Sequence, residues 1–168
     1  MDIVIRGGTV VDGTGSARFR ADVGIDKSKI VKIASSESLH GNRTIDAKGL
    51  IVAPGFIDIH THSDFTLLMN RRAESAVRQG VTTSLLGACG RTCAPVNEKT
   101  KDLLIKDIIG YDSRLPISWD TVDGYLKEFE KGGVAQNVAA LVGHDAVRIL
   151  AMGYEARKPA VKELEEMK

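Results

Sequence analysis

Two histidines separated by one residue, in Asp58-Ile59-His60-Thr61-His62, are the pair in this sequence best suited to chemistry. On an extended strand alternate side chains share a face. Asp58, His60 and His62 would then project one way and Ile57, Ile59 and Thr61 the other. Same-face neighbours lie ~6.6–7 Å apart along the strand, and two such imidazoles can converge on one ion with bonds of ~2.0–2.1 Å. The alternative is a pair of exposed or hydrogen-bonded histidines at a strand end. The preceding Pro54-Gly55-Phe56-Ile57 run and a third donor farther on favour the ion. That donor is Cys89, in Gly87-Ala88-Cys89-Gly90, where flanking glycines let the backbone turn tightly and present a short side chain. A thiolate suits Zn²⁺, and coordination ionises the thiol near neutral pH. Cys93, ahead of Ala94-Pro95, is an alternative ligand, and either cysteine could instead be a small core residue. His144, in Gly143-His144-Asp145, is a candidate substrate-side group or a hydrogen-bonded structural histidine. Asp58 and Asp64 are candidates to orient ligand imidazoles through the distal ring nitrogen, with helix capping as the alternative for Asp64.

The elements that must hold these residues are legible as punctuated apolar runs. Residues 56–60, 81–86 and 138–142 read as buried strands, each ending near a candidate site residue. Between and after them, helical spacing predicts helices over residues 67–79, 98–109 and 118–131, with Ser118 as a cap, and a last helix from Pro159 onward. Strands alternating with helices imply β-α-β units and a parallel sheet, whose sites form at the C-terminal ends of the strands. Residues 1–54 differ: short strands are divided by turn signals at Gly7-Gly8, Asp12-Gly13 and Asp26-Lys27-Ser28. They predict a small antiparallel β-domain without helices. The residues after position 54 suffice for roughly three βα units at ~30 residues each. A closed barrel needs eight, ~250 residues in all. The last helix has no stop signal, so the expectation is the front part of a longer protein.

Composition narrows the function classes. The 168 residues carry 23 Lys+Arg against 22 Asp+Glu, a net charge of +1 with the signs interspersed, which gives no support to nucleic-acid binding. No apolar run approaches the ~18–20 residues that span a bilayer, and the opening residues lack a signal-peptide layout. Two cysteines are too few for a disulfide scaffold. The expectation is a cytoplasmic protein with a small-molecule substrate and neither membrane nor nucleic-acid partners.

Taken together, Pro54-Gly55-Phe56-Ile57-Asp58-Ile59-His60-Thr61-His62-Ser63-Asp64, Gly80-Val81-Thr82-Thr83 and Gly87-Ala88-Cys89-Gly90 with Ala94-Pro95 resemble the N-acyl-D-amino-acid deacylases (D-aminoacylases) of the amidohydrolase superfamily. The opening Ile5-Arg6-Gly7-Gly8-Thr9-Val10-Val11-Asp12-Gly13 and the later Leu141-Val142-Gly143-His144 fit in the same order. The histidine pair indicates the superfamily, and the cysteine loop indicates this branch. The resemblance implies an α/β fold: the first part of a (β/α)8 TIM barrel preceded by a small β-sandwich domain, truncated. Residues 1–54 would be the N-terminal part of the sandwich and residues 55–168 the first three or so βα units. It further implies His60, His62 and Cys89 as zinc ligands, Cys89 standing where many relatives carry a carboxylated lysine or a glutamate. Two more ligand histidines and the general-base aspartate come from later strands, beyond Lys168. The implied reaction is metal-dependent hydrolysis of the amide bond of N-acyl-D-amino acids, giving a carboxylate and a D-amino acid, with the 168-residue chain inactive alone. Alternatives are a cyclic-amide hydrolase of the dihydroorotase or hydantoinase type and a non-catalytic scaffold. The sequence departs from the family pattern at Ala88, commonly Asn, and at Asp145, commonly Gly.

Overall fold

The structure, a computed structural model, describes residues 1–35 and 37–168. It divides into two compact units, Met1–Pro54 and Gly55–Lys168.

In the first unit, β1 (Ile3–Val10), β2 (Phe19–Asp26), β3 (Lys29–Ala34), β4 (Arg43–Asp46) and β5 (Ile51–Val52) form one sheet. β1–β2 and β2–β3 are antiparallel hairpins, but β4 and β5 run parallel to β1, so the sheet is mixed rather than antiparallel. The chain returns after β3 to the free edge of β1, and β4 and β5 share that edge end to end. Gly7-Gly8 does not turn. Arg6 and Gly7 oppose the single residue Asp22, a β-bulge made possible by the positive φ of Gly7 (71°). The bulge aims the Gly7 N–H at Asp22 Oδ1, 2.9 Å away. Alternation would place Asp22 on the wet face of β2, yet it is fully buried. Its carboxylate also accepts the N–H groups of Glu37 (2.9 Å) and Leu39 (3.0 Å). Burial pushes its pKa up, but the converging amides of Leu39, Glu37 and Gly7 outweigh this and hold it below the ordinary value.

In the second unit, β6 (Phe56–Asp58), β7 (Val81–Leu86) and β8 (Asn137–Ala140) form a parallel sheet in chain order, as β-α-β units require. α1 (Thr66–Met69) and α2 (Glu74–Arg78) connect β6 to β7, and α3 (Lys101–Asp107) and α4 (Val122–Gly132) connect β7 to β8. α5 (His144–Met152) and α6 (Val161–Glu166) follow. The helix expected over residues 67–79 is broken in two, because Arg71 has another task. Its guanidinium donates to the carbonyls of Phe129 and Gly133 at the C-terminal end of α4, and its own carbonyl accepts the Ala135 N–H. Helix α4 begins later than expected, at a Thr121 cap whose Oγ1 accepts the Gly124 N–H (3.0 Å). Trp119 is thereby left outside the helix. Its ring enters the core and its indole N–H donates to the Cys93 carbonyl (2.8 Å). Around it pack Tyr125, 5.5 Å away between ring centres, then Phe129, 5.2 Å from Tyr125, with Phe65, Leu86 and Ile149 in the same core. No helix among the described residues is long and apolar enough to cross a membrane.

Replacing Asp22 by Ala would leave three inward N–H groups without an acceptor. We expect a loss on the order of 3 kcal/mol, read by urea unfolding of the chain. The Asp22 contribution is present above the ordinary carboxylate value of 3.8 and is lost as pH falls through the lower folded-state value. Asp22→Asn, which does not titrate, should therefore show a shallower loss of stability in acid than the parent chain.

Candidate metal centre

Both histidines lie beyond the strand expected to carry them. β6 ends at Asp58, whose Oδ1 accepts the backbone N–H of His60 (3.1 Å) and bends the chain out of the sheet. The imidazoles meet edge to face, with ring centres 5.6 Å apart and planes at 77°. Cys89 arrives from the end of β7, on a single 3-10 turn, Ala88–Gly90. Its Sγ is 3.2 Å from His60 Nε2. One ligand atom from each of His60, His62 and Cys89 lies within 4.8 Å of the other two.

These distances can be tested against an ion. Tetrahedral coordination with Zn–N of ~2.0–2.1 Å and Zn–S of ~2.3 Å separates ligand atoms by roughly 3.3–3.6 Å. The cluster needs only small side-chain rotations to match this. Two neutral imidazoles and a thiolate form a borderline-soft set suited to zinc, and three protein ligands leave a position open, as catalytic rather than structural sites do.

The cysteine turn is held in an uncommon conformation. Cys89 has a positive φ (57°), which costs a non-glycine residue about 1 kcal/mol or more and persists only where the surroundings enforce it. Gly87 (φ 82°) sits so close to the chain after β8 that a Cβ would fall 2.6 Å from the Leu141 carbonyl oxygen. On the other side, the Gly87 N–H donates to Asp64 Oδ1 (2.7 Å), and the Asp64 carbonyl accepts the hydroxyl of Tyr125 (2.7 Å). Burial pushes the Asp64 carboxyl above its ordinary pKa, an effect that the Gly87 amide and the nearby His62 partly offset.

Several expectations change here. Asp58 and Asp64 accept from backbone amides, and no described hydrogen bond joins either to an imidazole; nor does Asp64 cap α1, whose N-terminus has no side-chain cap. Cys93 lies fully buried in the core, apart from the cluster, and burial, with the Asp64 charge added, pushes its thiol far above the usual range. His144 opens α5, exposed and outside the cluster. Of the two departures from the family pattern, Ala88 is buried, and the Asp145 carboxylate stands beside Gly90, where a Cβ would lie 3.2–3.3 Å from it. Sequence reasoning missed the linkage through Asp64 and Tyr125. Tyr125 is 61 residues from its acceptor, and no local pattern announces such a bond.

Candidate ligands at the C-terminal ends of successive parallel strands stand where α/β folds build their sites. The Amidohydrolase family model matches residues 43–167, and the chain belongs to this family. N-acyl-D-glutamate deacylase of Alcaligenes xylosoxydans xylosoxydans is 38% identical over 167 residues, covering 99% of this chain and 33% of the relative. D-aminoacylase of the same organism is 32% identical, covering 99% and 34%. Among solved structures, N-acyl-D-glutamate deacylase from Bordetella bronchiseptica, complexed with zinc and a phosphonate mimic of the reaction's tetrahedral intermediate, matches with a TM-score of 0.85. It is 33% identical, over 99% of this chain and 34% of that one. A D-aminoacylase structure concerned with the role of its binuclear metal centre gives a TM-score of 0.84 at 32% identity, over 98% and 34%. The chain thus spans about a third of the length of these relatives. The resemblance to N-acyl-D-amino-acid deacylases and the α/β fold it implied are both borne out.

The exposures of the two cysteines predict their reactivity. In the native chain one thiol should react rapidly with a thiol reagent, and Cys89→Ala should abolish that reaction. Cys93 should react only on unfolding.

Proposed function

We propose that this chain carries part of the zinc site of an amidohydrolase that cleaves the amide bond of N-acyl-D-amino acids, giving a carboxylate and a D-amino acid. The convergence of His60, His62 and Cys89 at the ends of β6 and β7 carries this reading. The full-length coverage of the chain by deacylase relatives supports the substrate class.

In this reading the two imidazoles and the thiolate hold the ion. When bound, zinc supplies Lewis acidity toward a carbonyl oxygen and makes water available as a nucleophile near neutral pH. The chain's own contribution is to place the ligands. Asp58 turns His60 out of the sheet, and the strained turn presents Cys89 from the neighbouring strand. Cys89 brings a negative charge that two neutral imidazoles do not, so it lowers the net charge of the centre. The resemblance assigns the general base to an aspartate on a later strand. The same resemblance makes β6, β7 and β8 the first strands of a (β/α)8 TIM barrel and residues 1–54 the start of a β-sandwich domain. Two free thiols suit a reducing cytoplasm.

The chain, stripped with a chelator and reloaded, should bind zinc, and His60→Ala, His62→Ala and Cys89→Ala should each weaken binding. Metal content unchanged in Cys89→Ala would favour the cyclic-amide hydrolase reading, in which a carboxylated lysine does the work of the thiolate. The 168 residues alone should bind zinc without turning over N-acetyl-D-amino acids. Robust zinc-dependent turnover would place the base within this chain. In a protein of the relatives' full length, cleavage of N-acetyl-L-amino acids but not their D forms would overturn the stereochemical assignment.

A further inference from the structure

The two segments that carry the candidate ligands are joined by one hydrogen bond that no ligand makes. Asp64 follows His62 by two residues and Gly87 precedes Cys89 by two, and the Gly87 N–H donates to Asp64 Oδ1 at 2.7 Å. The acceptor is a carboxyl oxygen of a residue 7% exposed, and the bond is short, at the strong end for a backbone donor. Asp64 is itself anchored. Its carbonyl accepts a hydrogen bond from the hydroxyl of Tyr125, a fully buried ring packed against Trp119 and Phe129.

The turn that Asp64 grips would not keep its shape unaided. Cys89 sits at positive φ, and relaxing it would swing Sγ away from His60. Two close approaches restrain the turn from the side of β8, at Gly87 against the Leu141 carbonyl and at Gly143, where a Cβ would fall 2.2 Å from the Gly90 carbonyl oxygen. Apart from the His60 Nε2–Cys89 Sγ contact between the candidate ligands themselves, only Asp64 restrains it from the segment that carries the histidines, among the described hydrogen bonds. Its carboxylate is outside the cluster of three donors and caps no helix, so this tie is the role its geometry supports.

Resting on the metal-site reading above, we propose that Asp64 is a positioning residue for the metal centre. Through Gly87 it holds the Cys89 sulfur within reach of the ion that His60 and His62 bind, and Tyr125 fixes Asp64 from the core. The arrangement is a carboxylate that acts on a ligand through the backbone of its loop rather than through an imidazole.

The test uses the 168-residue chain loaded with Co²⁺ in place of zinc. Sulfur-to-cobalt charge transfer absorbs in the near ultraviolet and reports the thiolate separately from the imidazoles. Asp64→Ala should weaken metal binding by about 10–100-fold and lose most of the sulfur band. Asp64→Asn, whose amide oxygen can still accept from Gly87, should recover most of both, which a general loss of stability would not produce. Tyr125→Phe, which keeps the ring and drops the hydroxyl, should weaken binding several-fold. A folded Asp64→Ala chain with the parent's cobalt affinity and full sulfur band overturns the proposal. If Asp64→Ala does not fold, Tyr125→Phe decides: parental affinity and band overturn it, and loss of both in a folded chain supports it. A parent chain that binds neither zinc nor cobalt overturns the metal-site reading and this inference with it, whereas a metal-binding parent with an insensitive Asp64 overturns only the inference.

Discussion

The register of β6 against β7 is the constraint on which the centre depends. Parallel pairing of Asp58 with Ser84 ends both strands on the same side of the sheet, so the segments that leave them start out as neighbours. His60 is two residues past that pairing and Cys89 five, yet a nitrogen and a sulfur finish 3.2 Å apart. A slip of one residue would turn every side chain of β6 to the opposite face and separate the donors. The pairing shifts once, between Phe56 and Ile57 at the start of β6, and the register that follows pairs Ile57 with Thr83 and Asp58 with Ser84 up to the end where the site begins. An antiparallel pair would have put the same residues at opposite ends of the sheet.

Two buried aspartates show how the chain uses one residue type in opposite electrostatic settings. Asp22, fully buried in the first unit, receives three backbone N–H groups and is held below its ordinary pKa; its charge organises the bulge and the loop around it. Asp64 receives one such donor and is pushed above its ordinary value by burial. The difference is a matter of donor count, since each amide favours the ionised form while desolvation opposes it. Asp22 is therefore a structural anion, complete in itself. Asp64 is under-compensated by protein donors, which is tolerable beside an imidazole pair that would carry a divalent cation.

How far the sequence discloses this arrangement differs from residue to residue. That His60, His62 and Cys89 come together was legible because their chemistry is rare, all three follow strand ends, and glycines flank Cys89. The alternation of apolar strands and helical runs disclosed the parallel sheet for the same reason. The break after Met69 was not legible, because it is imposed by Arg71 reaching carbonyls about sixty residues away, a demand absent from the local pattern. Trp119 fits helical spacing with Val122 and Leu126 but is drawn off by its indole bond to Cys93. The bounds of α5 were not legible, although Ala146, Ile149 and Met152 lie three apart, because the apolar run before it continues strand character past Ala140. Asp22 misled in the opposite way: a charged residue in an alternating strand reads as solvent-facing unless the bulge that buries it can be foreseen.

A metal site on these short exposed segments would gain affinity from rigidity, because neither His60 nor Cys89 is buried. Each ligand that has to be ordered when the ion arrives subtracts conformational entropy from binding. Here much of that ordering is already present in the fold. Asp58 fixes the backbone of His60, the two rings brace each other edge to face, and the cysteine turn is wedged between Asp64 and the Leu141 carbonyl. The left-handed strain at Cys89 then becomes intelligible, since a core that includes Tyr125, whose hydroxyl holds Asp64, can offset it. Such a division, with an apolar core behind a few exposed donors, lets the candidate ligands stay exposed while remaining fixed in space.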